Sequence, residues 1–129
     1  MQMENHSGNL LKELYLLMQL SRIGYSKYLK NRVYLHALAI RNANRRIYEL
    51  LISNLASLPA GLEKESLDLL NHYDIWMEQF RLFEKEKQPA AGDEFVFHHI
   101  DDQCAFPREA EKKIFDYYLT VNTQKEKNE

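Results

Sequence analysis

The chain is 129 residues long, with 28% charged and 45% hydrophobic residues and a formal net charge of −2, so it fits one domain large enough to bury a core. Four glycines, three prolines and few alternating apolar–polar runs argue against a β-sandwich or barrel and for an all-α architecture. A single cysteine, Cys104, excludes an internal disulfide framework. The small net charge hides an asymmetry: residues 1–56 carry eight Lys/Arg against three Asp/Glu, and residues 57–129 carry nine against sixteen. Two halves of opposite sign can attract one another inside one bundle, or the basic half can face an anionic partner.

The first residues, Met1 to Gly8, lack a basic stretch followed by an apolar one, as a secretory signal would require. No run of about 18 apolar residues follows; residues 14–20 are interrupted by Gln19 and then by Ser21 and Arg22. The expectation is a cytoplasmic protein with no membrane segment. Ser7, Gly8 and Asn9 offer N-cap side chains for a first helix, whose face is Leu10, Leu11, Leu14, Tyr15, Leu17 and Met18 at three- and four-residue spacing. A single helix from there to Ser57 would be about 70 Å long at ~1.5 Å per residue, too long for so small a globule. A break is therefore expected, at Gly24, Tyr25 and Ser26 in preference to Lys30, Asn31 and Arg32.

A second helix then spans about Lys27 to Ser57, with Leu29, Val33, His36, Ile40, Ala43, Ile47 and Leu51 as its core stripe. Leu58, Pro59, Ala60 and Gly61 end it. The third helix opens near Leu62 or Glu63 and presents a broad face of Leu69, Leu70, Tyr73, Trp76, Met77, Phe80 and Phe83. It closes in the solvated run Glu84, Lys85, Glu86, Lys87, and residues 88–92 form a loop. Residues 93–106 lack a sustained helical period. Pro107 suits the first position of a fourth helix, buried through Ile114, Phe115, Tyr118 and Leu119, with Val121 a further candidate, and residues 122–129 read as a polar tail. The whole is expected to be one domain, an antiparallel up-and-down four-helix bundle with an irregular aromatic and polar segment before the last helix.

Carboxylates, imidazoles and a thiol meet only in residues 93–104. His98, His99, Asp101 and Asp102 are ligands by type for a divalent transition metal. The spacing does not reinforce that reading. Di-metal bundles use Glu-x-x-His pairs, and the positions three before each histidine hold Met3, Val33, Leu69, Phe95 and Val96. The simpler expectation is a polar loop tied to the bundle end by Phe95, Phe97, Ile100 and Phe106. His36, on the expected core stripe, reads as a core histidine satisfied by one hydrogen bond. Arg32-x-x-x-His36 approaches the Arg–polar–x-x-x-His motif of HEPN ribonucleases but is too short, and after Arg41-Asn42 the histidine's place is held by Arg46, so the chain is not assigned there. Cys104 has no positioned partner, and no Gly-x-Ser-x-Gly or Gly-rich phosphate loop is present.

A basic stripe has better geometry. If the second helix is continuous, Lys27, Lys30, Tyr34, Arg41, Arg45 and Tyr48 fall within about 60° on the helical wheel. Arginine and tyrosine interleaved in this way suit a protein interface, phosphates and stacked bases, or the acidic helices of the same molecule. The sequence favours a non-enzymatic, self-associating interaction module, a homodimer without a cofactor. Two further readings are a nucleic-acid-binding accessory protein using the basic stripe and a metal-dependent enzyme centred on residues 98–102.

Overall fold

A computed structural model describes residues 2–97 and 107–127. Among the described residues four helices form in chain order: α1 (Gln2–Lys30), α2 (Tyr34–Ser53), α3 (Glu63–Lys87) and α4 (Arg108–Lys127). Two short 3-10 turns, Leu55–Ser57 and Ala60–Leu62, connect α2 to α3. Each helix packs on the next, and α4 returns to α1, closing a four-membered ring. The paired residues give the directions. Ser21 meets Asn44 between α1 and α2, while Tyr15 meets Tyr118 and Arg22 meets Glu111 between α1 and α4. Numbers rise on one helix as they fall on its neighbour, so the bundle is all-α and antiparallel, as expected from the sequence.

Gly24 does not break α1. It is buried in the helix where α2 comes closest, and a Cβ added there would sit 3.3 Å from Ile40 Cγ1. The missing side chain admits a neighbouring helix instead of ending its own. The break falls at residues 31–33. Val33 N–H donates to the Asn31 carbonyl at 2.8 Å, a three-residue turn that reverses the chain. Nor does α1 start at Asn9: Ser7, Gly8 and Asn9 lie within it.

The new start of α2 has no side-chain cap; Val33 precedes it in extended conformation. Its first amides are capped from far along the chain. Tyr34 N–H donates to the Asp93 carbonyl at 2.9 Å, and Leu35 N–H to the Ala91 carbonyl at 3.0 Å. The loop that delivers those carbonyls is itself tied. Gln88 ends α3 in the left-handed region (φ 46) and donates to the Glu84 carbonyl, and the Asp93 carboxylate accepts from Ala90 N–H at 2.8 Å. Phe95 N–H then donates to the Arg32 carbonyl at 2.8 Å, beside an isolated antiparallel bridge between Val33 and Glu94.

Two apolar clusters fill the interior. The larger gathers Leu11, Leu14 and Met18 of α1, Ile47 and Leu51 of α2, Leu69 and Tyr73 of α3, and Ala110 and Ile114 of α4. The smaller holds Tyr28, Ala37, Ile40, Trp76, Phe80, Phe95 and Phe97, with no residue from α4 among those described. Phe95 and Phe97 alternate along an extended strip, so both rings point the same way and take the place a fourth helix holds at the other end. Met77 packs against both clusters and joins them.

The core stripe of α2 is Ala37, Ile40, Ala43, Asn44, Ile47 and Leu51. Ile40, Ala43, Ile47 and Leu51 match the expectation. Leu29 is 42% exposed and Val33 only half-buried, because the break at residues 31–33 separates them from the helical phase of α2; His36, in the first turn of α2, is half-buried with its ring on the Asn31 carbonyl. At the far end Leu119 is exposed, and α4 carries on through Lys127, into the stretch that composition assigns to a tail.

Candidate interaction surface

The stripe expected on one helix is divided by the turn at residues 31–33. Lys27 and Lys30 end α1 and are exposed, whereas Tyr34, Arg41, Arg45 and Tyr48 lie on α2. The face that Tyr34 and Arg41 share turns toward α3. The Tyr34 hydroxyl donates to the Glu84 carboxylate, and Arg41 Nη1 lies 3.6 Å from the same group. Arg41 also stands 5.8 Å over the Phe80 ring and donates through Nε to Asn42 Oδ1 at 3.1 Å. Burial, and then the hydrogen bond and charge of Glu84, hold the Tyr34 phenol above its ordinary value. Arg41 and Tyr34 thus spend their polar groups on an acidic helix of the same molecule. Tyr48 is half-buried against the larger cluster, and Arg45 stays exposed.

The other polar candidates have local roles. His36 Nδ1–H donates to the Asn31 carbonyl at 2.9 Å, fastening the turn between α1 and α2. Tyr28, fully buried, uses its hydroxyl twice: it donates to the Phe95 carbonyl at 2.7 Å and accepts from Phe97 N–H at 3.0 Å. The metal candidates His98, His99, Asp101 and Asp102 lie outside the described residues, as do Ile100, Cys104 and Phe106. Among the described residues no cluster of three or more His, Cys, Asp or Glu side chains is placed to hold a metal ion.

Polar side chains join helices in pairs, and one partner of each pair is buried. Ser21 Oγ donates to Asn44 Oδ1 at 2.9 Å, Arg22 pairs with the mostly buried Glu111, and Lys113 Nζ reaches Glu65 at 2.8 Å. Arg22 also lies 5.5 Å over the Phe115 ring. Burial, and then the neighbouring Glu111 carboxylate, push the Tyr73 phenol far upward. These contacts fix which helices are neighbours and leave the outer faces for solvent or a partner.

One outer face was missed in the sequence. On α1 the buried side holds Leu10, Leu11, Leu14, Leu17 and Met18, and the opposite side carries Leu16, Leu20 and Ile23 at 54%, 48% and 55% exposure. Their spacing of four and then three residues is the seam repeat of paired helices, with Glu13 one step before and Lys27 one step after. The five positions fall within about 80° of one another on the wheel. The signal was present as a second apolar period on the first helix, overshadowed by the stronger core period. Alongside, Glu13, Leu17, Arg46, Glu49, Leu50, Ser53 and Asn54 line an open depression of about 250 Å³ between α1 and α2. Among the described residues no helix is long and apolar enough to cross a membrane, so these exposed leucines belong to no spanning segment. Comparison with protein-family models, with curated proteins and with solved structures finds no match to this chain.

Proposed function

We propose that this protein works by binding, as a helical-bundle interaction module that self-associates as a homodimer. One observation carries the reading: three large aliphatic side chains, each about half exposed, stand in a row on the outer face of α1. Scattered exposed leucines are ordinary on a protein surface, but a contiguous row at seam spacing is what a helix offers a partner. The four-helix ring supports it by making α1 a rigid presenting element, held along its inner side by α2 and α4. The stripe on α2 contributes less than its composition suggests, since Arg41 and Tyr34 are engaged with Glu84.

Sedimentation equilibrium over a range of protein concentrations tests this. The native protein is expected to reach a two-chain species with a dissociation constant of roughly micromolar order, as suits a modest interface. Leu20→Asp should return it to the single chain with an unchanged far-UV dichroism spectrum, because Leu20 lies outside both apolar clusters. A native protein that stays a single chain at the highest attainable concentration would overturn the self-association reading.

A further inference from the structure

Charge selects both the direction and the register of the partner on α1. Glu13 and Lys27 each lie seven residues from Leu20, one on either side, and both are exposed. Neither takes part in the ion pairs formed among the described residues, which use Arg22, Arg41, Arg81 and Lys113 with Glu111, Glu84, Glu78 and Glu65. At ~1.5 Å per residue each charge sits about 10 Å along the helix from Leu20. A two-fold axis at Leu20 therefore carries Glu13 onto the position of Lys27 and carries Leu16 close to the position of Ile23.

We infer that the partner is a second copy of this chain laid antiparallel, α1 against α1, centred at Leu20. Glu13 of each copy then meets Lys27 of the partner subunit, twice per dimer, and the leucine–isoleucine row closes on itself. This rests on the self-association proposed above. A parallel pairing would place Glu13 beside Glu13 and Lys27 beside Lys27, two like-charge contacts that the antiparallel arrangement converts into two attractive ones. The outer face of α3 offers no comparable row. Its exposed Leu67, Ile75 and Leu82 are eight and seven residues apart, with Asp74 and Glu78 between them.

Charge reversal provides the test, read as the dimer dissociation constant by sedimentation. Glu13→Lys and Lys27→Glu should each weaken the dimer by roughly tenfold, since each turns two attractive contacts into repulsive ones. The double variant should return to within about threefold of the native protein, because the pairs are restored with their signs exchanged. The two positions are about 21 Å apart on one helix, so rescue within a single chain is excluded by distance. Disulfide trapping in a Cys104→Ser background supplies a second readout. Mixing a Leu16→Cys chain with an Ile23→Cys chain should give the mixed disulfide in preference to either homotypic one. A native dimer whose affinity ignores both single reversals, or which traps Leu16→Cys homotypically, overturns the antiparallel register while leaving self-association standing. A native protein that never dimerises overturns both.

Discussion

The Tyr28 hydroxyl allows one hydrogen-bonding group to be weighed in this protein, because its two partners are both backbone and both buried. Replacing Tyr28 with phenylalanine keeps the ring among Phe80, Phe95 and Phe97 but removes the hydroxyl's hydrogen bonds to the Phe95 carbonyl and the Phe97 amide. The cost should be about 2 kcal/mol, the usual contribution of two buried hydrogen bonds, read from urea unfolding followed through Trp76 fluorescence. Ser66 presents the opposite case. It is fully buried in α3, and its Oγ has no hydrogen-bond partner among the described residues. Ser66→Ala removes a desolvated hydroxyl and adds a better helix former, so it should stabilise the protein by about 1 kcal/mol. A stabilising substitution at a completely buried position would separate this oxygen from polar atoms that hold the fold together. Equal or lower stability in the same urea experiment would contradict the assignment.

Element boundaries turn on what reaches them from elsewhere in the chain, and Gly24 illustrates this. The residue lies against Ile40 at the crossing of α1 and α2, where a methyl group would be 3.3 Å from Cγ1. Gly24→Ala should stay within about 1 kcal/mol of the native protein, since better helix propensity offsets mild crowding. Gly24→Leu should cost about 2 kcal/mol or more by forcing the two helices apart, measured as a fall in melting temperature. Helix α3, with its Leu69–Leu70–Tyr73–Trp76–Phe80 face, was legible because the information is local and repeats every three or four residues. The turn at residues 31–33 was legible only as the second of two break sites, at Lys30, Asn31 and Arg32, behind Gly24. The amides that follow it, Tyr34 and Leu35, are satisfied by the carbonyls of Asp93 and Ala91, and no local pattern near Asn31 encodes partners so distant in sequence. The same gap explains the candidate site. The wheel placed Tyr34 and Arg41 together correctly, but Glu84, which receives both, lies on another helix. Leu29 was assigned to the core because the wheel was carried through a break that shifts its phase, whereas His36 keeps the phase of Ile40 and turns to the Asn31 carbonyl of the preceding turn.

At the level of the whole molecule, opposite charges in the two halves of the sequence meet as bridges between helices. Basic residues of α1 and α2 reach acidic residues of α4 and α3, as in Arg22 with Glu111 and Arg41 with Glu84. The Glu65–Lys113 bridge between α3 and α4 makes stability depend on acidity. The hydrogen bond from Lys113 holds the Glu65 carboxyl below its ordinary value of 4.5. A carboxylate whose folded pKa is depressed adds stability that is fully present above its unfolded pKa. That stability is lost as pH falls through the lower folded value. Glu65→Gln should therefore be less stable than the native protein at neutral pH, and the difference should shrink as the pH drops below about 4.5, as thermal melts across that range would show. A constant difference at every pH would assign the effect of Glu65 to packing.

The borrowed cap on α2 also bears on how the chain is made. Tyr34 leaves the ribosome about sixty residues ahead of Asp93, whose carbonyl it needs. At typical elongation rates that interval is roughly 3–12 s. Over that time α1 and α2 can pair through Ser21 and Asn44, but the start of α2 has only water to satisfy its first amides. The aromatic end of the nascent bundle, Tyr28 and Ile40 above all, stays open until Phe95 and Phe97 arrive to close it. This aromatic end is sealed by Phe97, ahead of the larger cluster, which waits for Ala110 and Ile114 of α4, and a nascent chain stalled before residue 93 would present both ends unsealed to whatever meets it at the exit tunnel.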